Sequence, residues 1–159
     1  MNIEKRKNRP GIHYPPPLIY AAVFFIAMIV QNYIPISQTF LETTPVQVAA
    51  RVFIFISPFI ALTALIQFIR TKNPLTPFKK TKSLQTTGVY SFTRNPMYLG
   101  LLSLYTGLSL MFVNWWSIIF IPLLIIFINL LVIKKEETKL ERTFGQTYLD
   151  YKEKVRRWI

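Results

Sequence analysis

The chain has no cysteine and only one histidine, His13, among its 159 residues. Without thiols it can form no disulfide, no thiolate metal site and no cysteine nucleophile. One histidine is too few for the usual zinc sites. His13 also has no potential catalytic partner close to it in sequence, which argues against a role as general base. We therefore expect no metal and no chemistry centred on cysteine or histidine.

Acidic residues are scarce as well. There are 7 Asp and Glu against 19 Lys and Arg, which gives a formal net charge of +12. In a soluble protein such an excess would suggest a nucleic acid partner. Here 52% of the residues are hydrophobic, and the basic residues flank long apolar runs. A membrane surface rich in anionic lipid explains this arrangement better, so we expect a lipid bilayer as partner and no nucleic acid.

The apolar runs predict a polytopic, all-α membrane protein. The longest run, 97–133, has 37 residues and would extend about 55 Å as one helix, well beyond a hydrocarbon core of about 30 Å. It must turn back, and Asn114 followed by two interfacial tryptophans marks the turn. We expect a single domain over 1–159, with a cytoplasmic tail at 134–159. The predicted spans are 18–36, 48–69, 96–113 and 115–133.

The positions of the basic residues predict the topology. Apart from Arg51, every Lys and Arg lies in 1–16, 70–94 or 134–159. Four spans place all three segments on one side of the membrane, and the positive-inside rule makes that side cytoplasmic. We therefore expect a multi-pass protein of the bacterial inner membrane with both termini in the cytoplasm.

The segment before the third predicted span carries the clearest local signal. Asn95 followed by Pro96 predicts a helix start, with Asn as N-cap and Pro at the first helical position. Arg94 and Tyr98 are four residues apart and can lie on one side of that start. An Arg beside unpaired helix N–H groups suits a carboxylate or phosphate ligand, or simply a lipid headgroup. Gly100 leaves a gap into which another backbone or a ligand fits.

Two acidic residues, Glu136 and Glu137, follow the fourth predicted span at the same cytoplasmic side. They are either part of a site or partners in salt bridges to Lys134, Lys135 or Arg94. Further on, Phe144 followed by Gly145 predicts a helix stop. An amphipathic helix is expected beyond it, since aromatic and aliphatic residues recur at helical spacing. These residues are Tyr148, Tyr151, Val155 and Trp158.

Two ordered motifs in the last ninety or so residues resemble the integral-membrane methyltransferases. This superfamily includes isoprenylcysteine carboxyl methyltransferase and the phospholipid methyltransferases. The isoprenylcysteine enzymes have His where this chain has Asn95, a departure that bears on the acceptor more than on the cofactor. The residues that carry the resemblance are Gly88-Val89-Tyr90, Arg94-Asn95-Pro96-Met97-Tyr98-Leu99-Gly100, Glu136-Glu137, Leu140, Phe144-Gly145, Tyr148, Tyr151 and Val155-Arg156-Arg157-Trp158.

The resemblance implies S-adenosylmethionine as cofactor at the cytoplasmic face and a lipid-like or isoprenylcysteine-like methyl acceptor. Arg94 or the helix N-terminus suits the cofactor carboxylate. Arg94 is also the best candidate for a residue that positions the reacting groups. A glutamate can accept from the ribose hydroxyls, and a tyrosine face suits the sulfonium or the adenine. No catalytic base is identified. The expected cofactor-binding residues are Tyr90, Arg94, Asn95, Tyr98, Gly100, Glu136 and Glu137.

Two other functions remain open at this point. Membrane reductases of the sterol-reductase type resemble the same C-terminal pattern and use NADPH, although they generally have more spans. A non-catalytic membrane partner protein with the same fold is the third reading. The sequence leaves the methyl acceptor and the oligomeric state undetermined, because fold resemblance alone is a weak guide to substrate.

Overall fold

The computed structural model describes residues 15–71 and 83–159, and all regular structure in these two ranges is helical. The tail with His13 and the connector residues 72–82 lie outside the described residues. In chain order the α-helices are α1 (Pro16–Tyr33), α2 (Thr44–Arg70), α3 (Pro96–Met111), α4 (Trp115–Ile119), α5 (Ile121–Ile128), α6 (Lys134–Phe144) and α7 (Gln146–Lys154). A short 3-10 helix, Gly88–Ser91, precedes α3, and one π-helical turn, Asn129–Ile133, joins α5 to α6.

Helices α1 and α2 are each long and apolar enough to cross a membrane. Both begin with proline in the first turn, where its missing N–H costs no hydrogen bond. Helix α2 also contains Pro58, whose missing N–H leaves the carbonyl of Ile54 without its helical donor. The Ser57 hydroxyl donates to that carbonyl at 3.2 Å, which helps the helix continue through the proline.

Helix α3 packs on α2 through small residues. A Cβ added at Gly107 would lie 3.0 Å from the carbonyl oxygen of Ala50, and one added at Gly100 would lie 3.1 Å from that of Ser57. Between these glycines, the Ser103 hydroxyl donates to the backbone carbonyl of Phe53 at 3.0 Å. Such close approach is typical of membrane helices, since small side chains allow van der Waals contact between backbones. This contact fixes the position of α3 along α2, and therefore that of Arg94, two residues before the first residue of α3.

The structure has a turn between α3 and α4 where one was predicted at Asn114, and Asn114 is also the N-cap residue of α4. Its side chain accepts from the Ser117 backbone N–H at 2.8 Å. The two following tryptophans tie this turn to the α1–α2 connection. Trp115 donates to the Ser37 carbonyl at 2.9 Å, and Trp116 donates to the Ile34 carbonyl at 2.7 Å. These contacts hold the two connections together at the end opposite Arg94.

The predicted boundaries of the fourth span differ from the structure at two points. Phe120 separates α4 from α5, so 115–133 is not one regular helix. At its other end the helix does not stop at Ile133, because the π turn passes directly into α6. The glutamates predicted to lie in a separate tail are therefore on the continuous helix that α5, the π turn and α6 form together.

The C-terminal region follows the predicted stop but not the predicted helix length. Helix α6 ends at Phe144, and Gly145 adopts a φ of 53°, which glycine tolerates best. Helix α7 buries Tyr148 and Tyr151 but ends at Lys154. The expectation that Val155 and Trp158 continue the helix is wrong, since Val155 is extended with φ −121° and ψ 130°. Helical spacing alone cannot reveal where tertiary hydrogen bonds pull the chain out of the helix.

We predict that Gly107→Ala lowers the unfolding temperature in detergent. Its Cβ would meet Ile54 Cγ1 at 2.7 Å and two backbone atoms at 3.0 Å, so α2 and α3 must separate. Overpacking of this kind costs about 1–3 kcal/mol. Thermal unfolding followed by circular dichroism measures the change, and Met111→Leu on the exposed end of the same helix is the control. An unfolding temperature equal to that of wild type would contradict this prediction, because it would show that α2 and α3 can separate at Gly107 without loss of stability.

Candidate functional site

Arg94 is the centre of the candidate site. It directly precedes the start of α3, and its backbone N–H donates to the Arg156 carbonyl at 3.0 Å. Its side chain is 9% exposed, with Nη2 at 3.3 Å from Glu137 Oε1. Within the part of the chain that the structure describes, Nε and Nη1 are buried without a hydrogen-bond partner. Buried donors of a charged group are costly to leave unpaired, so they mark a position suited to an anionic group.

Glu137 lies between two guanidinium groups. Besides Arg94, it accepts from Arg157, whose Nη2 is 2.6 Å from Oε2 and whose Nε is 3.0 Å from Oε1. This bidentate hydrogen bond raises the pKa of the Arg157 guanidinium above its usual range. The sequence offered Arg94, Lys134 or Lys135 as salt-bridge partners of the glutamates, and the structure confirms Arg94. The structure adds Arg157 as a second partner of Glu137. The only indication of this in the sequence was that Arg157 belongs to the second motif.

Glu136 points to a different partner. The Tyr98 hydroxyl donates to Glu136 Oε1 at 2.8 Å, which joins the first turn of α3 to the first turn of α6. Tyr90 is buried, and the charge of Glu136 also acts on its pKa. Burial is the larger cause, and together they raise the pKa of Tyr90 to about 12. The two adjacent glutamates thus have distinct environments, one ionic and one phenolic.

Asn95 is the N-cap residue of α3, but its side chain contacts the C-terminal segment, residues 155–158, and not the helix. Its side-chain nitrogen donates to the Arg157 carbonyl at 3.0 Å, and the Thr93 hydroxyl donates to the same oxygen at 3.1 Å. The predicted N-cap position and the start at Pro96 are confirmed, but the capping hydrogen bond expected of the Asn95 side chain is not formed. The C-terminal segment supplies a better partner for the amide than the helix does.

Gly100 is not brought together with the other predicted residues. Its Cα faces α2, where an added Cβ would lie 3.0 Å from Ala61 Cβ and 3.1 Å from the Ala61 nitrogen. Of the two occupants expected for this gap, a backbone or a ligand, the structure shows the backbone. Its direct contact with a cofactor has no structural support.

Helix α7 packs against the site on the side of Tyr90 and the Arg94–Glu137 pair. The Tyr151 hydroxyl donates to the Tyr90 carbonyl at 2.6 Å, and Tyr148 is 1% exposed. Burial raises the pKa of Tyr148 to about 12, with the charge of Glu137 adding to the rise and that of Arg94 opposing it. At ordinary pH Tyr148 is therefore an uncharged phenol beside the Arg94–Glu137 cluster.

A cleft of about 540 Å³ lies between α2 and the segment before α3. Gln67 lies in it and donates to the Thr87 carbonyl at 2.9 Å. The described residues that line it are Thr63, Ile66, Gln67, Arg70, Thr71, Gln85, Thr87 and Gly88. Elsewhere in the described ranges no group of three or more His, Cys, Asp or Glu side chains could hold a metal ion.

The phospholipid methyltransferase family matches residues 45–147 of this chain. The chain belongs to this family. The match includes Arg94, Glu136 and Glu137 but stops before Arg157. Together with the two long apolar helices, membership indicates a membrane methyltransferase. A protein of Haemophilus influenzae, described as uncharacterized, is 41% identical over 63 residues, which are 40% of this chain and 100% of the relative.

We predict that alkaline pH destabilises the protein partly through Tyr90. Its pKa is 10.0 in the unfolded chain and about 12 in the folded one. Between these values the folded state binds more protons at Tyr90, so the contribution of Tyr90 to the free energy of unfolding is constant below about pH 10 and falls as pH rises toward 12. Thermal unfolding between pH 8 and 11.5 should show a shallower fall for Tyr90→Phe than for wild type. Parallel curves for the two proteins would contradict the assignment.

Proposed function

We propose that this protein is an S-adenosylmethionine-dependent methyltransferase that acts on a lipid-like acceptor at the cytoplasmic face of the membrane. The observation that carries the proposal is the buried Arg94, whose Nε and Nη1 have no partner among the described residues. It lies in the segment that the family match covers.

The residues around Arg94 fit the chemistry of the cofactor. Its unpaired donors suit the carboxylate of the methionine part, and Glu137 fixes the guanidinium from the other side at 3.3 Å. The cluster of Arg94, Arg157 and Glu137 carries one net positive charge, which favours an anionic group. A carboxylate accepts up to about four hydrogen bonds, so Glu136 can take a ribose hydroxyl as well as the Tyr98 phenol.

S-adenosylmethionine supplies an electrophilic methyl group when bound. The chain's own contribution is then mainly binding and orientation, because a well-aligned displacement gains much of its rate from positioning. Arg94 would hold the cofactor's carboxylate end, and Glu136 would orient its ribose. Tyr90 stays a neutral phenol, given its pKa of about 12, and presents an aromatic face. A carboxylate or thiolate acceptor needs no base from the protein.

We further propose four membrane spans with both termini in the cytoplasm. The contacts of Trp115 and Trp116 with the α1–α2 connection support this, since they group those two connections at one end. The contact of Tyr98 with Glu136 groups the start of α3 and the start of α6 at the other. Nearly all Lys and Arg of the chain belong to segments expected at that second end. A lipid acceptor would then reach the site from the bilayer.

We predict that wild-type protein in detergent binds S-adenosylhomocysteine and that Arg94→Ala and Glu137→Ala each weaken binding tenfold or more, about 1.4 kcal/mol. The first substitution removes the carboxylate donors, and the second removes the group that orients them. Isothermal calorimetry measures the affinities, with circular dichroism to confirm folding.

Glu141→Gln is the matched control, since Glu141 lies on the same helix and pairs with Lys152 in a partly exposed salt bridge. Its affinity should equal that of wild type. Folded wild-type protein that neither binds S-adenosylhomocysteine nor transfers a labelled methyl group to any membrane extract would refute the proposal. Nicotinamide cofactors would be tested next.

A further inference from the structure

The C-terminal segment, residues 155–158, makes a contact that the proposed chemistry does not use. The Trp158 indole N–H donates to Asn129 Oδ1 at 3.2 Å. Asn129 is the first residue of the π turn, and Trp158 packs against the apolar core formed by Leu124, Ile128 and their neighbours. The adjacent residue, Arg157, holds Glu137. The C-terminal segment therefore contacts the continuous helix of α5, the π turn and α6 at two places, Asn129 and Glu137.

The π turn explains how both contacts are possible. Asn129 and Glu137 are eight residues apart, which in a regular α-helix of 100° per residue separates their directions by about 80°. A π turn accommodates one extra residue, so Asn129 and Glu137 are placed as residues seven apart are in a regular α-helix. The directions of their side chains around the helix axis then differ by only about 20°. Both side chains thus face the C-terminal segment. Glu136 lies on a different face and meets Tyr98 instead.

The ion pair needs such an anchor because Arg157 is partly open to solvent. Its side chain is 36% exposed, whereas that of Glu137 is 8% exposed. Long exposed side chains lose conformational entropy when they are held in one geometry, and water screens their charges. The backbone carbonyl of Arg157 is already held by Asn95 and Thr93. The indole of Trp158 fixes the segment on its other side.

We propose that Asn129 and Trp158 are positioning residues, which hold the C-terminal segment so that Arg157 keeps Glu137 in place against Arg94. The π turn makes this possible because it places Asn129 and Glu137 on the same face of the helix. For its effect on cofactor binding this inference rests on the proposed function. The coupling between the two contacts is independent of it.

The coupling is tested by fluorine NMR on protein labelled with fluorotryptophan. The three tryptophans give three resonances, and Trp158→Phe assigns the one of interest. We expect Asn129→Ala and Glu137→Gln each to increase the solvent isotope shift of the Trp158 resonance, leaving Trp115 and Trp116 unchanged. Glu141→Gln should change none of them. A Trp158 isotope shift that stays at its wild-type value in Glu137→Gln would overturn the coupling.

The effect on the site is tested by a double-mutant cycle on S-adenosylhomocysteine affinity. Asn129→Ala and Trp158→Phe should each weaken binding about threefold to tenfold, and the double variant should be no weaker than either single one. Asn129→Asp, which keeps the acceptor oxygen, should restore most of the affinity. Multiplicative losses in the double variant, or equal losses in Asn129→Asp and Asn129→Ala, would refute positioning through this bond.

The two proposals fail in different ways. If wild-type protein binds no S-adenosylhomocysteine, the proposed function fails, and the isotope shift of Trp158 still decides whether the two contacts are coupled. If wild type binds and the Asn129 variants bind equally well, the positioning role fails and the proposed function stands.

Discussion

The buried carboxylate of Glu137 between Arg94 and Arg157 is the interaction on which the end of the structure that carries the candidate site depends. A single guanidinium would neutralise it, and the second leaves the cluster with a net positive charge. Removing one partner from a buried ion pair typically costs about 3–5 kcal/mol, because the remaining charge stays desolvated. The cluster therefore joins the start of α3, the start of α6 and the C-terminal segment into one unit.

The apolar part of the molecule positions this cluster without taking part in it. Backbone contact between α2 and α3 at Gly100 and Gly107 fixes the axial position of α3, and Arg94 lies two residues before its first turn. At the opposite end, Trp115 and Trp116 secure the hairpin to the α1–α2 connection. In a bilayer, where lipid is as apolar as leucine, such packing and hydrogen bonding supply the specificity that hydrophobic burial cannot.

The sequence predicted that Arg94 and the two glutamates lie close together, but it did not identify the neighbours of Asn95 and Gly100. Arg94, Tyr98, Glu136 and Glu137 do come together, as expected from antiparallel neighbours with both motifs at one end. Asn95 and Gly100 have other neighbours, namely the C-terminal segment and α2. Their signals were local, a helix start and a missing side chain, and local signals do not identify the partner.

By itself, the sequence determined the helical class, the start of α3 at Pro96, the end of α6 at Phe144 and the clustering of basic charge. These follow from proline, glycine and apolar run length, which act within a few residues. Only the tertiary structure decided that Arg157 shares Glu137, that the chain leaves the helix after Lys154, and that a π turn aligns Asn129 with Glu137. Those features depend on hydrogen bonds between residues 20 or more positions apart, which no local pattern encodes.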